Sequence, residues 1–344
     1  MKIVISFLYI IIIMFFHSGA GLAQDIHFSQ YTMTPLVLNP ALTGSQNKMR
    51  GIINHRSQWG GIASPYVTSL VSWDMEIKGN KKKKESAPAV GFTVLYDKAG
   101  ESRLRTFQAN FYYAYQLYLT RNSFLGAGLY GGYMQRSINY SGLQWMNQFD
   151  GNAFNPSLSS GEPVGTNAIN GFDAGGGINY NYRKGDRYYT ANDSKRVDVG
   201  ISVSHINRPR NSFYTNSERL EMKYTAYFNA LIGVGNSRLS MAPQLIYQRQ
   251  KQQTEILIGM MARYRLNEHS IYTGFRKSSA ISFGLHYRNG DAVIPSVLFE
   301  ISGIAIGLSY DATVSKLSGG NGRPGALELA LRFSRPDPFG VRGK

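Results

Sequence analysis

The sequence offers few residues for catalysis or ligand chemistry. His27, His55, His205, His269 and His286 are scattered, and no two stand at the i, i+4 spacing that sets paired imidazoles on one helical face for a metal. Gly126-Ala127-Gly128-Leu129-Tyr130-Gly131 has the spaced glycines of a dinucleotide site. That chemistry needs a strand before the glycines and a helix after them, so that the helix N-terminus meets the pyrophosphate. Here Gly132, Tyr133 and Met134 follow without helical period, which reads as small residues inside a strand. There is no Gly-x-Ser-x-Gly elbow, and no carboxylate pair stands out for acid–base work. The absence of cysteine removes thiolate nucleophiles, thiolate zinc sites, iron–sulfur clusters and disulfides. No catalytic, cofactor-binding or metal residue is assigned. An enzyme would need Ser, His and Asp brought together across strands, which the sequence does not display.

The charged residues are more informative as ion pairs. Asp74, Asp173, Asp198, Glu300, Asp311 and Glu328 fall on strand-like runs and read as partners for inward arginines such as Arg56, Arg263, Arg276 and Arg332. Lys81 to Lys84 follow Gly79-Asn80 and read as a solvated hairpin loop, or as an attractor of anionic headgroups or an acidic partner. The chain has 344 residues, 37 Lys and Arg against 21 Asp and Glu, and a formal charge of +16, which on its own suggests nucleic acid.

Residues 1–23 weaken that suggestion. Lys2, the apolar run Ile3 to Phe16 and the Gly21-Leu22-Ala23 junction read as a secretory signal peptide. The run is too short for the roughly 20 residues of a spanning helix, and no other stretch approaches that length. Without helices, only a closed β-barrel satisfies its backbone hydrogen bonds in lipid.

From Met49 onward the dominant period is two. Phe107, Ala109, Phe111, Tyr113, Tyr115, Leu117 and Leu119 alternate with Gln108, Asn110, Tyr112, Ala114, Gln116 and Tyr118. The same alternation runs through 197–204, 224–232, 256–264 and 326–333. About fifteen strands are expected, beginning near residues 49, 67, 88, 104, 123, 171, 195, 222, 238, 253, 269, 280, 293, 303 and 325. Bacterial barrels have even counts, so one of these is surplus, the weakest being the short pair around Ser270 to Arg288. Strands of this length, apolar on one face and rich in Gly, Ser, Asn and charge on the other, suit a tilted bilayer crossing with a polar lumen. A soluble sandwich shares the alternation but not the length. Trp73-Asp74 hints at a propeller, yet no repeat of about forty residues accompanies it.

The expected layout is a signal peptide (1–23), a polar N-terminal periplasmic or plug arm with Pro35 and Pro40 (24–48), an antiparallel barrel (49–333) and a basic C-terminal tail (334–344). Residues 141–169 form a long connection whose aromatics favour an ordered loop folded over or into the barrel.

The mature N-terminus reads His27-Phe28-Ser29-Gln30-Tyr31, then Leu38-Asn39-Pro40-Ala41-Leu42-Thr43-Gly44, then Arg56-Ser57-Gln58-Trp59. With Tyr66-Val67-Thr68, Ser72-Trp73-Asp74, Ser309-Tyr310-Asp311 and Glu328, this order resembles the PorP/SprF family of type IX secretion system membrane proteins of the Bacteroidota, over essentially the whole mature chain. The resemblance implies an outer-membrane barrel of about fourteen strands, without catalytic residues or cofactors. It also implies partnership with type IX components and a secreted cargo protein carrying a C-terminal sorting domain, such as a gliding adhesin. His27, Phe28, Ser29, Gln30, Asn39, Pro40, Gly44, Arg56 and Trp59 are the candidate motif or partner-binding residues. The alternative from composition alone is a general porin for small solutes, since barrels of this size can hold a water channel.

Overall fold

A computed structural model describes residues 25–60, 65–77, 86–100, 104–120, 122–140, 143–162, 165–184, 194–214, 218–235, 237–267, 278–314 and 325–336. The expected signal peptide (1–23), Lys81 to Lys84, His269, Arg276 and residues 337–344 lie outside them.

Fourteen strands follow one another: β1 (Asn47–Gln58), β2 (Tyr66–Glu76), β3 (Ala87–Ala99), β4 (Leu104–Tyr118), β5 (Ser123–Ser137), β6 (Ala168–Lys184) and β7 (Lys195–Ser204). The second half comprises β8 (Lys223–Gly233), β9 (Leu239–Gln250), β10 (Gln253–Asn267), β11 (Ser279–Arg288), β12 (Ala292–Ile301), β13 (Ile304–Thr313) and β14 (Gly325–Pro336). Each pairs antiparallel with its chain neighbours, and β14 pairs with β1, so the sheet closes on itself. The expected strand near residue 269 falls outside the described residues, and β10 pairs directly with β11. Ser334 and Arg335, read from sequence as the start of a tail, pair with Arg50 and Met49 and extend β14, because the alternation continues past Phe333.

The period-two reading sets the two faces. On β4, Phe111, Tyr113, Tyr115 and Leu117 point outward while Tyr112, Ala114 and Gln116 are buried inside. Strands of 10 to 17 residues meet or exceed the roughly 9–11 that a tilted strand needs to cross a bilayer. No helix among the described residues is long and apolar enough to cross a membrane, which leaves the strands as the spanning elements. Turn signals hold where the connection is tightest: Ser302 and Gly303 both take positive φ, 50° and 92°, in the two-residue turn between β12 and β13.

Strand alternation defines two ends. The terminus end holds the start of β1 and the finish of β14. The loop end holds the two longest connections, 138–167 and 205–222. The 138–167 loop does not enter the lumen, contrary to one of the two expected placements. Met146 is 94% exposed and Phe149 and Phe154 are exposed too, while Thr166 donates its backbone N–H to Phe213 O in the neighbouring loop at 2.8 Å. The lumen is already occupied by the N-terminal arm.

Candidate functional site: the arm inside the lumen

Residues 25–46 run through the barrel from the loop end to the terminus end. The arm forms three short helical pieces, a turn at Tyr31–Met33, then a helix α1 at Pro35–Leu38 and a turn at Pro40–Leu42 that each start on a proline. Asn39 caps the last by accepting from the Ala41 N–H at 2.9 Å. These one-turn pieces are too short to persist alone. The barrel wall supplies what their own hydrogen bonds do not.

At the loop end, Asp25 is held by His205 Nε2 at 2.6 Å, by Lys223 Nζ at 3.1 Å and, through its backbone N–H, by Gln250 Oε1 at 3.2 Å. His205 Nδ1 meets Asp173 Oδ1 at 2.9 Å, so both ring nitrogens face carboxylates. Burial disfavours the imidazolium, yet Asp25 and Asp173 outweigh it and raise the His205 pKa to about 9. Burial likewise favours neutral Asp25, but Lys223 and His205 hold its carboxyl well below the usual carboxylate range. His27, 3.6 Å from Glu255, is the opposite case. Burial, opposed by Glu255 and aided by Arg288 and Arg56, brings it down to about 4 and leaves it neutral at pH 7.

Next comes a charged knot. Glu328 on β14, fully buried, accepts the backbone N–H groups of Ser29 at 2.7 Å and Gln30 at 3.0 Å, one on each carboxylate oxygen. The Ser29 hydroxyl lies 2.7 Å from Asp311 Oδ1 on β13 and accepts from Arg56 Nη1 and Arg288 Nη2, both at 2.7 Å. Arg56 and Arg288 also reach Asp311 Oδ2, at 2.8 and 2.9 Å. Arg56 and Glu328 are register partners across the β1–β14 seam. Each buried charge therefore has partners, without which its desolvation would be costly.

Below the knot the arm is apolar. Phe28 packs with Leu70 and Leu95, Met33 with Ile52, Ala305 and Ala330, and Leu36 with Tyr112 and Tyr130. Tyr31, Leu38 and Leu42 share a cluster with Tyr227, Ile246, Leu257 and Ile294.

The lower seat is cut to fit Asn39 to Ser45. Asn39, with no exposed surface, donates to the Ile178 and Ile201 carbonyls at 3.0 and 3.1 Å. Gln116 donates to the Ala41 and Thr43 carbonyls, and Ser202 to the Leu38 carbonyl. A Cβ on Gly128 would stand 2.5 Å from Pro40 and Ala41, and one on Gly177 would strike Asn39 Oδ1. Gly126 and Gly128, two of the glycines that mimic a dinucleotide motif, are thus part of the wall against which the arm lies. Gly44, at φ +63°, donates its N–H to Asp74 Oδ2 at 2.8 Å, and Arg50 holds the same carboxylate at 2.8 and 3.0 Å.

Eight of the nine sequence-selected residues meet at this interface. His27, Phe28, Ser29, Gln30, Asn39, Pro40 and Gly44 are on the arm and Arg56 is on the wall. Trp59 stands apart at the loop-end rim, with φ 60°, its N–H on Gly325 O at 2.9 Å and its ring edge-on to Tyr66. Of the expected acid–arginine pairs, Asp311 and Glu328 meet Arg56, and Glu300 meets both Arg263 and Arg332 at 2.7 Å. Asp74 pairs instead with Arg50, and Asp173 with His205. Arg50, Gln116, His205, Glu255 and Arg288 were not singled out. Their signal is polar or charged residues on the inward phase of a strand or, for His205, at its end.

The family model described as "Type IX secretion system membrane protein PorP/SprF" matches residues 20–333. The chain belongs to the PorP/SprF family. Membership and the closed barrel together make it a type IX secretion outer-membrane protein, and neither the family nor the fold is a known enzyme class. No curated protein matches the sequence. Among solved structures, this PorP/SprF barrel is similar to the toluene transporter TbuX of Ralstonia pickettii (TM-score 0.47, 12% identity, 93% of this chain and 96% of that one). It is also similar to the toluene transporter TodX of P. putida (0.48, 10%, 87% and 92%) and to a Pseudomonas aeruginosa FadL homologue (0.46, 9%, 86% and 92%).

Proposed function

We propose that this barrel serves the secretion or surface anchoring of a particular cargo protein, one with a C-terminal sorting domain such as a gliding adhesin, and that residues 24–48 act as its plug. The observation that carries the reading is that the arm contacts all fourteen strands. Hydrogen bonds, ion pairs and apolar contacts link it to β1 (Arg56), β2 (Asp74), β3 (Leu95), β4 (Gln116), β5 (Tyr130), β6 (Ile178) and β7 (Ser202). They continue to β8 (Asn229), β9 (Gln250), β10 (Glu255), β11 (Arg288), β12 (Ile294), β13 (Asp311) and β14 (Glu328). A lumen so filled suits a scaffold or gated partner better than a standing diffusion pore, and two cavities beside the arm are only about 20 Å³ each, room for one or two waters.

Residues 1–23 serve in this reading as the export signal. The long 138–167 and 205–222 loops face outward, since outer-membrane barrels keep short turns on the periplasmic side. Purification of the barrel from its native membrane under mild detergent tests the role. Recovery of a cargo protein with type IX components supports it, and their consistent absence sinks it.

A further inference from the structure

Charge along the lumen is divided between its ends. Near the loop end the charges nearly cancel, with Asp25, Asp97, Asp173, Glu255, Asp311 and Glu328 set against Lys223, Arg56, Arg136, Arg288 and the His205 imidazolium. Toward the terminus end cations prevail. Arg50 on β1, Arg183 on β6, Arg196 on β7, Arg263 and Arg265 on β10 and Arg332 on β14 all take the inward phase of their strands. The inward carboxylates near them are Asp74, Asp198 and Glu300; Lys48 and Glu76, one of each sign, leave the balance unchanged.

The six arginines encircle the lumen. In the ring order β14 adjoins β1, β10 lies four strands from β14, and β6 and β7 lie on the far side. Asp74 holds Arg50 and Glu300 holds both Arg263 and Arg332, so the six arginines exceed the three carboxylates of this end by three. Like charges confined within a low-dielectric wall repel, and an incoming anion relieves that repulsion and is attracted along the focused field.

We propose that this arginine-lined mouth is a docking site for an acidic polypeptide segment of a partner protein. The inference rests on the secretion role above and adds the end and the chemistry of contact. A polypeptide fits better than a single phosphate because the arginines are spread over five strands on opposite sides of the ring, so several carboxylates on one chain engage what one anion cannot span. A bilayer fits less well because these side chains point into the lumen while Leu331 and Phe333 face out.

The test uses the exported full-length chain in detergent micelles, a fluorescein-labelled oligoglutamate peptide and anisotropy over a salt series. Arg196 is exposed, so Arg196→Glu leaves the buried pairs intact. Binding that weakens with salt, falls about tenfold in Arg196→Glu and is unchanged in Lys251→Glu at the loop end supports the proposal. Equal binding by Arg196→Glu overturns it, as does full displacement at matched ionic strength by inorganic phosphate or by vesicles containing anionic phosphatidylglycerol. If Arg196→Glu loses its heat-modifiable folded band, Arg196→Ala is read in its place, with a severalfold loss expected and no loss overturning the proposal. The assay contains no other secretion component, so its failure leaves the co-purification result standing, and the reverse holds.

Discussion

Ser29 donates its backbone N–H at 2.7 Å to Glu328, a residue 299 positions away on the last strand. Glu328 in turn faces Arg56 across the seam where β14 meets β1, so the contact that seats the arm is also part of the contact that closes the barrel. Arm seating and barrel closure thereby share one carboxylate.

Glu328→Gln tests that coupling. The amide keeps the size of the carboxylate but offers one acceptor oxygen where Ser29 and Gln30 need two, and it leaves Arg56 with less counter-charge. Losing a partner in a buried charged network costs about 3 kcal/mol. The variant should lose its heat-modifiable electrophoretic band at a clearly lower temperature than the parent and expose the arm to protease below that point. Unchanged melting with a protected arm would show that the knot adds little.

The barrel was legible in the sequence because its strands alternate with period two between an apolar outward face and an inward face that carries most of the small, polar and charged residues, and that rule is local. The arm was not. Its helical pieces last one turn, and what fixes them are partners such as Glu328, Asp311 and Ile178, far along the chain and on strands whose inward phase reads only as polar. The motif residues were found by resemblance, but nothing near Asn39 in the chain announces that Gly177 and Gly200 leave room for it. Ser334 and Arg335 illustrate the reverse error, where charge suggested a tail and the pleat continued.

Gly128→Val places a side chain where Pro40 and Ala41 now lie, with the nearest backbone atoms 2.5 Å from its Cβ. Overpacking of this kind costs about 1–3 kcal/mol, and here the movable party is the arm rather than the wall. The barrel band should persist while chymotrypsin reaches Phe28 and Tyr31 of the arm faster. Gly60→Ala, where a new Cβ meets nothing within 4 Å, should leave digestion unchanged.

Deleting residues 25–46 while keeping residues 1–24 removes the arm from the lumen. In planar bilayers the parent should be silent and the deletion should show resolvable conductance steps, since a barrel of this size without a plug holds a water channel. A silent deletion variant with an intact folded band would mean that the loops or the wall itself seal the pore.

Seating of the arm should depend on pH in both directions. His205 binds its proton more tightly when folded than its ordinary 6.5, so its contribution is complete below about pH 6.5 and is lost as pH rises through about 9. His27 is depressed from 6.5 to about 4, so its contribution is complete above about pH 6.5 and is lost as pH falls toward 4. Asp25, also depressed, adds to the acid loss below its ordinary 3.8. With 1.36 kcal/mol per pKa unit, each histidine limb amounts to about 3 kcal/mol. Hydrogen exchange of arm amides should be slowest near pH 6.5 to 7, after correction for intrinsic rates, and faster at pH 4 and at pH 9.5. His205→Gln keeps a donor toward Asp25 but no titrating proton, and it should abolish the alkaline limb while sparing the acid one. An alkaline limb that survives in His205→Gln would assign the latch to another group.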